Sequence, residues 1–311
     1  MKEAATTVHP SRLGIFGDLP TRFLRHLLPL IPWFLEPFLI GFWVTVIFLA
    51  AAPQRRAVAG NLRAMHPGWS WPRCFAGAWR MFFQFGLAFV DAQRCAVGTG
   101  TIDWVLDGSE HFAALEREPG GLLLVTAHMG NYDLAAAYFA SRFPRSLHTV
   151  RAPERNAEAQ KMRERDIRSD EEKNPAFRSH YNRDGNLLGI ELARLIVEGE
   201  AVAVQADRVL YDVSPMDAEV TPGLWMRLPK GPWALARATR CPCYPVFITR
   251  DGWRRYRVTI LPAFHVSPDR DATQQSTARW ARRIFDFAST HWEQWFVFEP
   301  MLERRGSTED Q

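Results

Sequence analysis

Between His26 and Arg55 the chain runs for 28 residues with Glu36 as its only formal charge, and from Pro37 to Gln54 it carries none. A stretch this apolar must be taken out of water by a protein core, by lipid, or by both. Its centre, Pro-Phe-Leu-Ile-Gly-Phe-Trp-Val-Thr-Val-Ile-Phe-Leu-Ala-Ala-Ala, barely approaches the roughly 18 to 20 residues with which a helix crosses hydrocarbon. Pro29, Pro32 and Pro37 break what precedes it. Arg22 and Arg25 on one side and Arg55 and Arg56 on the other give the positive-inside rule no asymmetry to act on. Three placements stay open: a single membrane span, an interfacial or re-entrant anchor, and a buried helix. A cleaved signal peptide fits less well, because the apolar region begins late and Pro53 would follow the cut suggested by Ala50-Ala51-Ala52. The expectation is a membrane-anchoring segment over residues 1–60 and a catalytic-sized unit over 61–311.

The remainder alternates short apolar runs with helical patterns, which argues for an α/β sandwich with a mixed or parallel sheet. Helices are expected over Arg55 to Pro67, Trp79 to Val90, from Ser109, Leu134 to Arg142, Glu154 to Arg168, Leu187 to Val197, Gly231 to Thr239 and Thr273 to Phe296. Strands are expected over Gly121 to Val125, Leu147 to Val150 and Ala201 to Val204. Tyr244 to Thr249 and Arg254 to Leu261 read as a pair joined at Asp251-Gly252. Asp170 to Arg183 and Leu210 to Pro229 read as loops, the second lying over the site.

The net charge is only +4, from 38 basic and 34 acidic residues, and most of the basic ones are arginine. Arginine suits bidentate contacts to phosphate or carboxylate. No dense basic stripe or nucleic-acid motif occurs, so nucleic acid is not an expected partner. Cys74, Cys95, Cys241 and Cys243 lack zinc or redox spacing and read as reduced structural thiols. His111, His148, His180 and His265 stand in no metal-ligand spacing, so neither a metal nor a cofactor is expected. Trp33, Trp43, Trp292 and Trp295 could form an aromatic belt at a membrane, although core packing explains each of them separately.

The segment Val125-Thr-Ala-His128-Met-Gly-Asn-Tyr-Asp133 carries the chemistry. An apolar strand delivers His128, a side chain able to take a proton from an alcohol near neutral pH, and a carboxylate follows at Asp133. Five positions of a regular helix turn through about 500°, so the two would not share a helix face. They meet only if His128 lies in a turn and Asp133 in the first turn of the helix beyond it. Gly130 and Asn131 supply the residues such a turn needs. Asp207, at a strand end, reads as either a site residue or a cap.

His128-Met-Gly-Asn-Tyr-Asp133 resembles the His-x4-Asp/Glu motif of the glycerolipid acyltransferase superfamily, and its Gly-Asn element is similar to the lipid A lauroyl and myristoyl acyltransferases. Asn61 and Arg63 resemble their pre-catalytic segment, Arg151, Asn156 and Arg163 their second block, and Asp207 their third. Gly231-Pro-Trp-Ala-Leu-Ala236 with Pro245-Val-Phe, and His291-Trp-Glu-Gln-Trp295, resemble their later segments, so the likeness covers roughly residues 20 to 300. Asp133 stands where these enzymes usually carry Glu, Arg208 where Gln is common, and Arg227-Leu-Pro-Lys230 replaces a Phe-Phe-Gly stretch.

The resemblance implies a glycerolipid-acyltransferase-like fold and transfer of a fatty acyl chain from acyl carrier protein or acyl-coenzyme A to a hydroxyl of a lipid or glycolipid. It implies His128 as general base, Asp133 as the carboxylate that orients it, and oxyanion donors near Gly130 and Asn131. Arg151, Arg163, Asp207 and Arg208 would bind substrate. The implied location is the cytoplasmic face of the inner membrane of a Gram-negative bacterium. The residues by themselves also leave room for a thioesterase or lipid hydrolase using the same pair, and for a non-catalytic membrane-attached partner.

Overall fold

The computed structural model describes residues 18–154, 157–182, 187–209, 213–269 and 271–305. It opens with α1 (Asp18–Leu27), α2 (Glu36–Ala50), α3 (Ala52–Met65) and α4 (Trp71–Ala96). Strands and helices then alternate: β1 (Asp103–Asp107), α5 (Ser109–Glu116), β2 (Leu122–Thr126), α6 (Tyr132–Ala140), β3 (Leu147–Arg151), α7 (Ala157–Lys173), β4 (Phe177–Tyr181), α8 (Leu188–Val197) and β5 (Ala201–Gln205). A hairpin, β6 (Pro215–Thr221) and β7 (Leu224–Pro229), leads into α9 (Gly231–Thr239), β8 (Cys243–Arg250), β9 (Arg255–Ile260), α10 (Ala272–Thr290) and β10 (Leu302–Arg304).

Among the described residues, one sheet has seven strands in the order β1-β9-β8-β2-β5-β3-β4, and β10, β7 and β6 form a second, three-stranded sheet. In the large sheet β8 and β9 pair antiparallel while the other neighbours run parallel, so the sheet is mixed. Helices cover both of its faces, and β2 shows why its sequence is an unbroken apolar run. Leu123 and Val125 enter the core shared with α8, α9 and α10, while Leu122 and Leu124 enter the core shared with α5 and α6. Side chains that alternate across a strand need apolar character at every position when both faces are covered.

A third core joins the N-terminal helices, with Ile40, Val44, Leu62, Ala78, Met81 and Phe82 packed together. On α2 only the stripe Glu36, Ile40 and Val44 is buried, whereas Phe38, Phe42, Trp43 and Leu49 are 61–75% exposed. A Cβ on Gly86 would lie 2.8 Å from Val44 Cγ2, so the small residue lets α4 approach α2 closely. At 1.5 Å per residue the 15 residues of α2 fall short of the roughly 30 Å of a hydrocarbon core. Among the described residues no single helix is long and apolar enough to cross a membrane, and α2 meets α3 at a bend of 96°. Glu36, the lone charge of the apolar stretch, is 2% exposed. Arg254 Nη2 donates to both its oxygens at 2.9 Å, and Arg94 pairs with it as well. A buried carboxylate is tolerated only with such partners.

Two expected loops are structured. Apart from residues 210–212, which lie outside the described residues, Leu210 to Pro229 is largely the β6-β7 hairpin, whose turn holds Gly223 at φ +71°. Its signal was the alternation of buried Ala218, Val220, Leu224, Met226 and Leu228 with polar or larger neighbours. Asp170 to Arg183, of which Arg183 lies outside the described residues, instead finishes α7 and forms β4, an edge strand paired with β3 whose polar sequence reflects its single neighbour. β1, another edge strand, has no counterpart in the sequence reading. The last helix stops at Thr290 rather than Phe296, and the chain beyond it becomes a short 3-10 turn and an extended strap.

Asn61 fastens that strap to α3. Its Nδ2 donates to the Glu299 carbonyl at 2.8 Å, and its Oδ1 accepts from the amides of Met301 at 2.9 Å and Leu302 at 3.3 Å. Replacing it with leucine strands several buried polar groups and should cost roughly 2–4 kcal/mol of stability. Thermal unfolding of Asn61→Leu is therefore expected several degrees below wild type, and an unchanged midpoint would refute this anchoring role.

Candidate active site

β2 and β5 are parallel neighbours in the register Leu122↔Ala201 to Thr126↔Gln205. His128 and Asp207 each follow the last of these paired residues by two positions, so both emerge side by side at the carboxyl edge of the sheet. Open α/β sheets place their sites at such edges. The His128 imidazole Nδ1 donates to Asp207 Oδ1 at 2.6 Å, and the His128 backbone N–H donates to Oδ2 at 2.9 Å. Trp295 Nε1 donates to the same Oδ2 at 3.0 Å. Asp207 is fully buried, which pushes its carboxyl up, but the charge and hydrogen bonds of His128 outweigh burial and hold it below the usual range. An ionised carboxylate only accepts. Nδ1 therefore carries a proton, and in the neutral imidazole the lone pair is left on Nε2.

The turn that carries His128 is built against the strap. Met129 bridges Trp295 in antiparallel fashion, the Phe296 amide donates to the His128 carbonyl at 2.8 Å, and the Gly130 amide donates to the Gln294 carbonyl at 3.2 Å. Gly130 has φ +54°, and a Cβ there would fall 2.5 Å from the Ile248 carbonyl oxygen, which explains the glycine. Asn131 Nδ2 donates to the Ala88 carbonyl of α4 at 2.9 Å. The Gly130 amide and the Asn131 side chain, expected as oxyanion donors or substrate contacts, are thus engaged in forming the turn.

Asp133 sits in the first turn of α6, where an acidic group also suits the helix dipole. Its oxygens meet Arg151 Nη2 of β3 at 2.8 Å and Arg163 Nη1 of α7 at 3.2 Å. Burial pushes its carboxyl up, yet the two guanidinium groups and the hydrogen bond from Arg151 pull it down to about 2. The expected geometry is therefore corrected: the carboxylate on the imidazole is Asp207, and Asp133 organises two arginines. The bent junction predicted from helix arithmetic is present, but it turns Asp133 toward β3 and α7 while strand register delivers Asp207.

Arg151 Nε also donates to Ser179 Oγ of β4 at 3.3 Å, and Arg208 Nε donates to Glu299 Oε1 of the strap at 2.8 Å. The expected site residues His128, Asp133, Arg151, Asp207 and Arg208 all lie at or just beyond the carboxyl ends of β2, β3 and β5, with Arg163 reaching in from α7. Asn156 lies outside the described residues. Asn61 serves the frame, and Arg63 donates to the Trp69 carbonyl.

Two site residues escaped the sequence reading. The Tyr132 ring stands edge-on to His128, with centroids 5.4 Å apart. Burial and the Asp133 charge push its phenol up to about 12, so it keeps its proton. Trp295, read as a belt or core residue, is 1% exposed and bonded to Asp207. Of the four tryptophans considered for a belt, Trp33 and Trp43 are exposed, at 65% and 61%, and Trp292 is half-buried.

Residues 73–304 match the model of the bacterial lipid A biosynthesis acyltransferases. The chain belongs to that family. It is accordingly an acyltransferase enzyme, and the family brings with it an acyl donor and a lipid acceptor in general terms. No curated protein matches the chain. Within this lipid A acyltransferase the matched span begins in α4 and ends in β10, so it takes in the whole large sheet and the strap.

The depressed Asp133 carboxyl fixes a pH window. Its folded value of about 2 lies below the ordinary 3.8, so its pairing stabilises the fold fully above about pH 4 and ceases to do so as pH falls through about 2. Allowing for partial exposure, the pairing is worth roughly 1–2 kcal/mol. Denaturant titrations of wild type and Asp133→Asn should differ by that amount at pH 5 and converge toward pH 2. A difference independent of pH would contradict the assignment.

Proposed function

We propose that this acyltransferase moves a fatty acyl chain from the thioester of acyl carrier protein or coenzyme A to a hydroxyl of a lipid A precursor or a closely related glycolipid. The observation that carries the reading is the hydrogen bond from His128 Nδ1 to a buried, ionised Asp207, which keeps Nε2 as a base. Nε2 takes the acceptor hydroxyl proton as the oxygen attacks the thioester carbonyl. The C–S bond then breaks, and the imidazolium returns the proton to the departing thiolate. No enzyme nucleophile is needed, so Cys74, Cys95, Cys241 and Cys243 stay outside the chemistry. Backbone amides in the first turn of α6, next to His128, are suited to the developing oxyanion, because a helix start leaves such donors without intrahelical acceptors.

Arg151 and Arg163 share one carboxylate, and the next acid, Glu154, is 4.0 Å from Arg163. Guanidinium groups gathered in this way suit a phosphate of the acceptor or of the donor's pantetheine arm. Arg208, held by Glu299, adds a further cation to that edge.

The same reading places the enzyme on the cytoplasmic face of an inner membrane, with residues 1–60 as the anchoring part and 61–311 as the catalytic part. Leu30, Trp33, Phe38, Phe42, Trp43 and Leu49 are 61–77% exposed, a concentration of large apolar side chains that lipid would cover. The short, one-side-buried α2 favours an interfacial seat over a span.

Product analysis by mass spectrometry tests the reaction. Wild-type protein with an acyl-thioester donor and a lipid A precursor should give the acylated acceptor. His128→Ala should lose roughly 10²- to 10⁴-fold in rate while keeping its circular dichroism spectrum. Retained activity in His128→Ala, or free fatty acid without acylated acceptor in wild type, would overturn the proposal.

A further inference from the structure

The strap reaches the catalytic pair twice, once through its main chain and once through an indole. We propose that Trp295 is a positioning residue of the acyl-transfer site, its indole N–H fixing Asp207 so that the carboxylate stays in line with the His128 imidazole. The proposal rests on the reading of His128 as base.

Asp207 Oδ2 accepts from the His128 amide at 2.9 Å and from Trp295 Nε1 at 3.0 Å, while Oδ1 accepts from the imidazole at 2.6 Å. Two of these donors belong to His128 itself, so they move with the turn they would have to position. Among the described residues the indole is the donor to this carboxylate from outside that turn. It closes a small circuit, because the Trp295 main chain pairs with Met129 while its side chain holds the acid that holds His128. The amide donations from Phe296 to His128 and from Gly130 to Gln294 set the register of that pairing. A slip of one residue would turn the indole to the opposite face.

The strap is itself restrained on both sides. Gln294 Nε2 donates to the Arg250 carbonyl at 2.9 Å, and its Oε1 accepts the Arg250 amide. Downstream, Glu299 receives Arg208 and Asn61 binds the chain from Glu299 to Leu302. With 1% exposure the indole has no water to compete for its proton. A buried indole needs an acceptor, and where Trp280 uses the Ala206 carbonyl, Trp295 uses the carboxylate that holds His128.

Trp295→Phe keeps an aromatic ring and removes the N–H. Tyr132 and Asp133 on α6, and Arg208 beyond Asp207, remain as they were, so a change in proton affinity at His128 reports on Asp207. Without the indole the carboxylate becomes more basic and favours the imidazolium. The expected result is a kcat about tenfold lower with KM within about twofold, and an acid limb of the kcat profile moved upward by about half a pH unit or more. An unmoved limb, whether with wild-type kcat or with only a lower melting temperature, would overturn the proposal.

Should Trp295→Phe fail to fold, the indole resonance of the full chain decides. A Trp295 Nε1 proton shifted downfield in wild type and returning upfield in Asp207→Asn supports the proposal, and one that ignores Asp207→Asn overturns it. That resonance is read without any acyl-transfer assay. A wild-type protein that transfers no acyl chain would therefore count against the reaction and leave the proposed contact to its own test.

Discussion

The site depends on a buried carboxylate. Asp207 has no solvent exposure, and an ion so placed is costly unless hydrogen-bond donors replace its water. Three N–H groups do so, two from His128 and one from Trp295. The two from His128 are available because β2 and β5 are adjacent, parallel and in a register that ends both strands level. Satisfying that one charge thus rests on sheet pairing, the tautomer of His128 and the placement of Trp295.

A second buried network joins the N-terminal helices to the sheet. Glu36 of α2 pairs with Arg94 and Arg254, while Asp91 of α4 accepts from Arg250 at 3.2 Å and from the Tyr256 hydroxyl at 2.8 Å. Arg250 is also the residue that Gln294 of the strap grips. The buried stripe of α2 and the His128 turn are therefore connected through a short chain of charged and main-chain contacts.

Much of this was legible in the sequence where one element dictates its own surroundings. The run Leu122 to Val125 announces a strand buried on both faces, Gly231-Pro232 opens a helix that ends where expected at Thr239, and Gly130 marks a turn requiring positive φ. The bent turn that carries His128 could also be read, because the apolar strand before it and the helix after it are local. Its carboxylate could not. Asp207 is 79 residues away, and nothing in the sequence states that β5 lies beside β2. The same holds for Trp295, whose role comes from long-range pairing. β1 and β4 are not legible because edge strands need not be apolar, and the β6-β7 hairpin is masked by Pro215, Pro222 and Pro229, which sit at its ends and in its turn and read as loop punctuation. The offset shared by His128 and Asp207, each just past an apolar strand, was the one signal that would have joined them.

The central claim is that Asp207, and not Asp133, supports the base. Steady-state kinetics of Asp207→Asn and Asp133→Asn, measured on acyl transfer under identical conditions, address it directly. Asp207→Asn should lower kcat by about 10³-fold or more with little change in KM, since an amide no longer holds the imidazole in its basic tautomer. Asp133→Asn should act chiefly on KM by disturbing Arg151 and Arg163. A larger loss of kcat in Asp133→Asn than in Asp207→Asn would contradict the account.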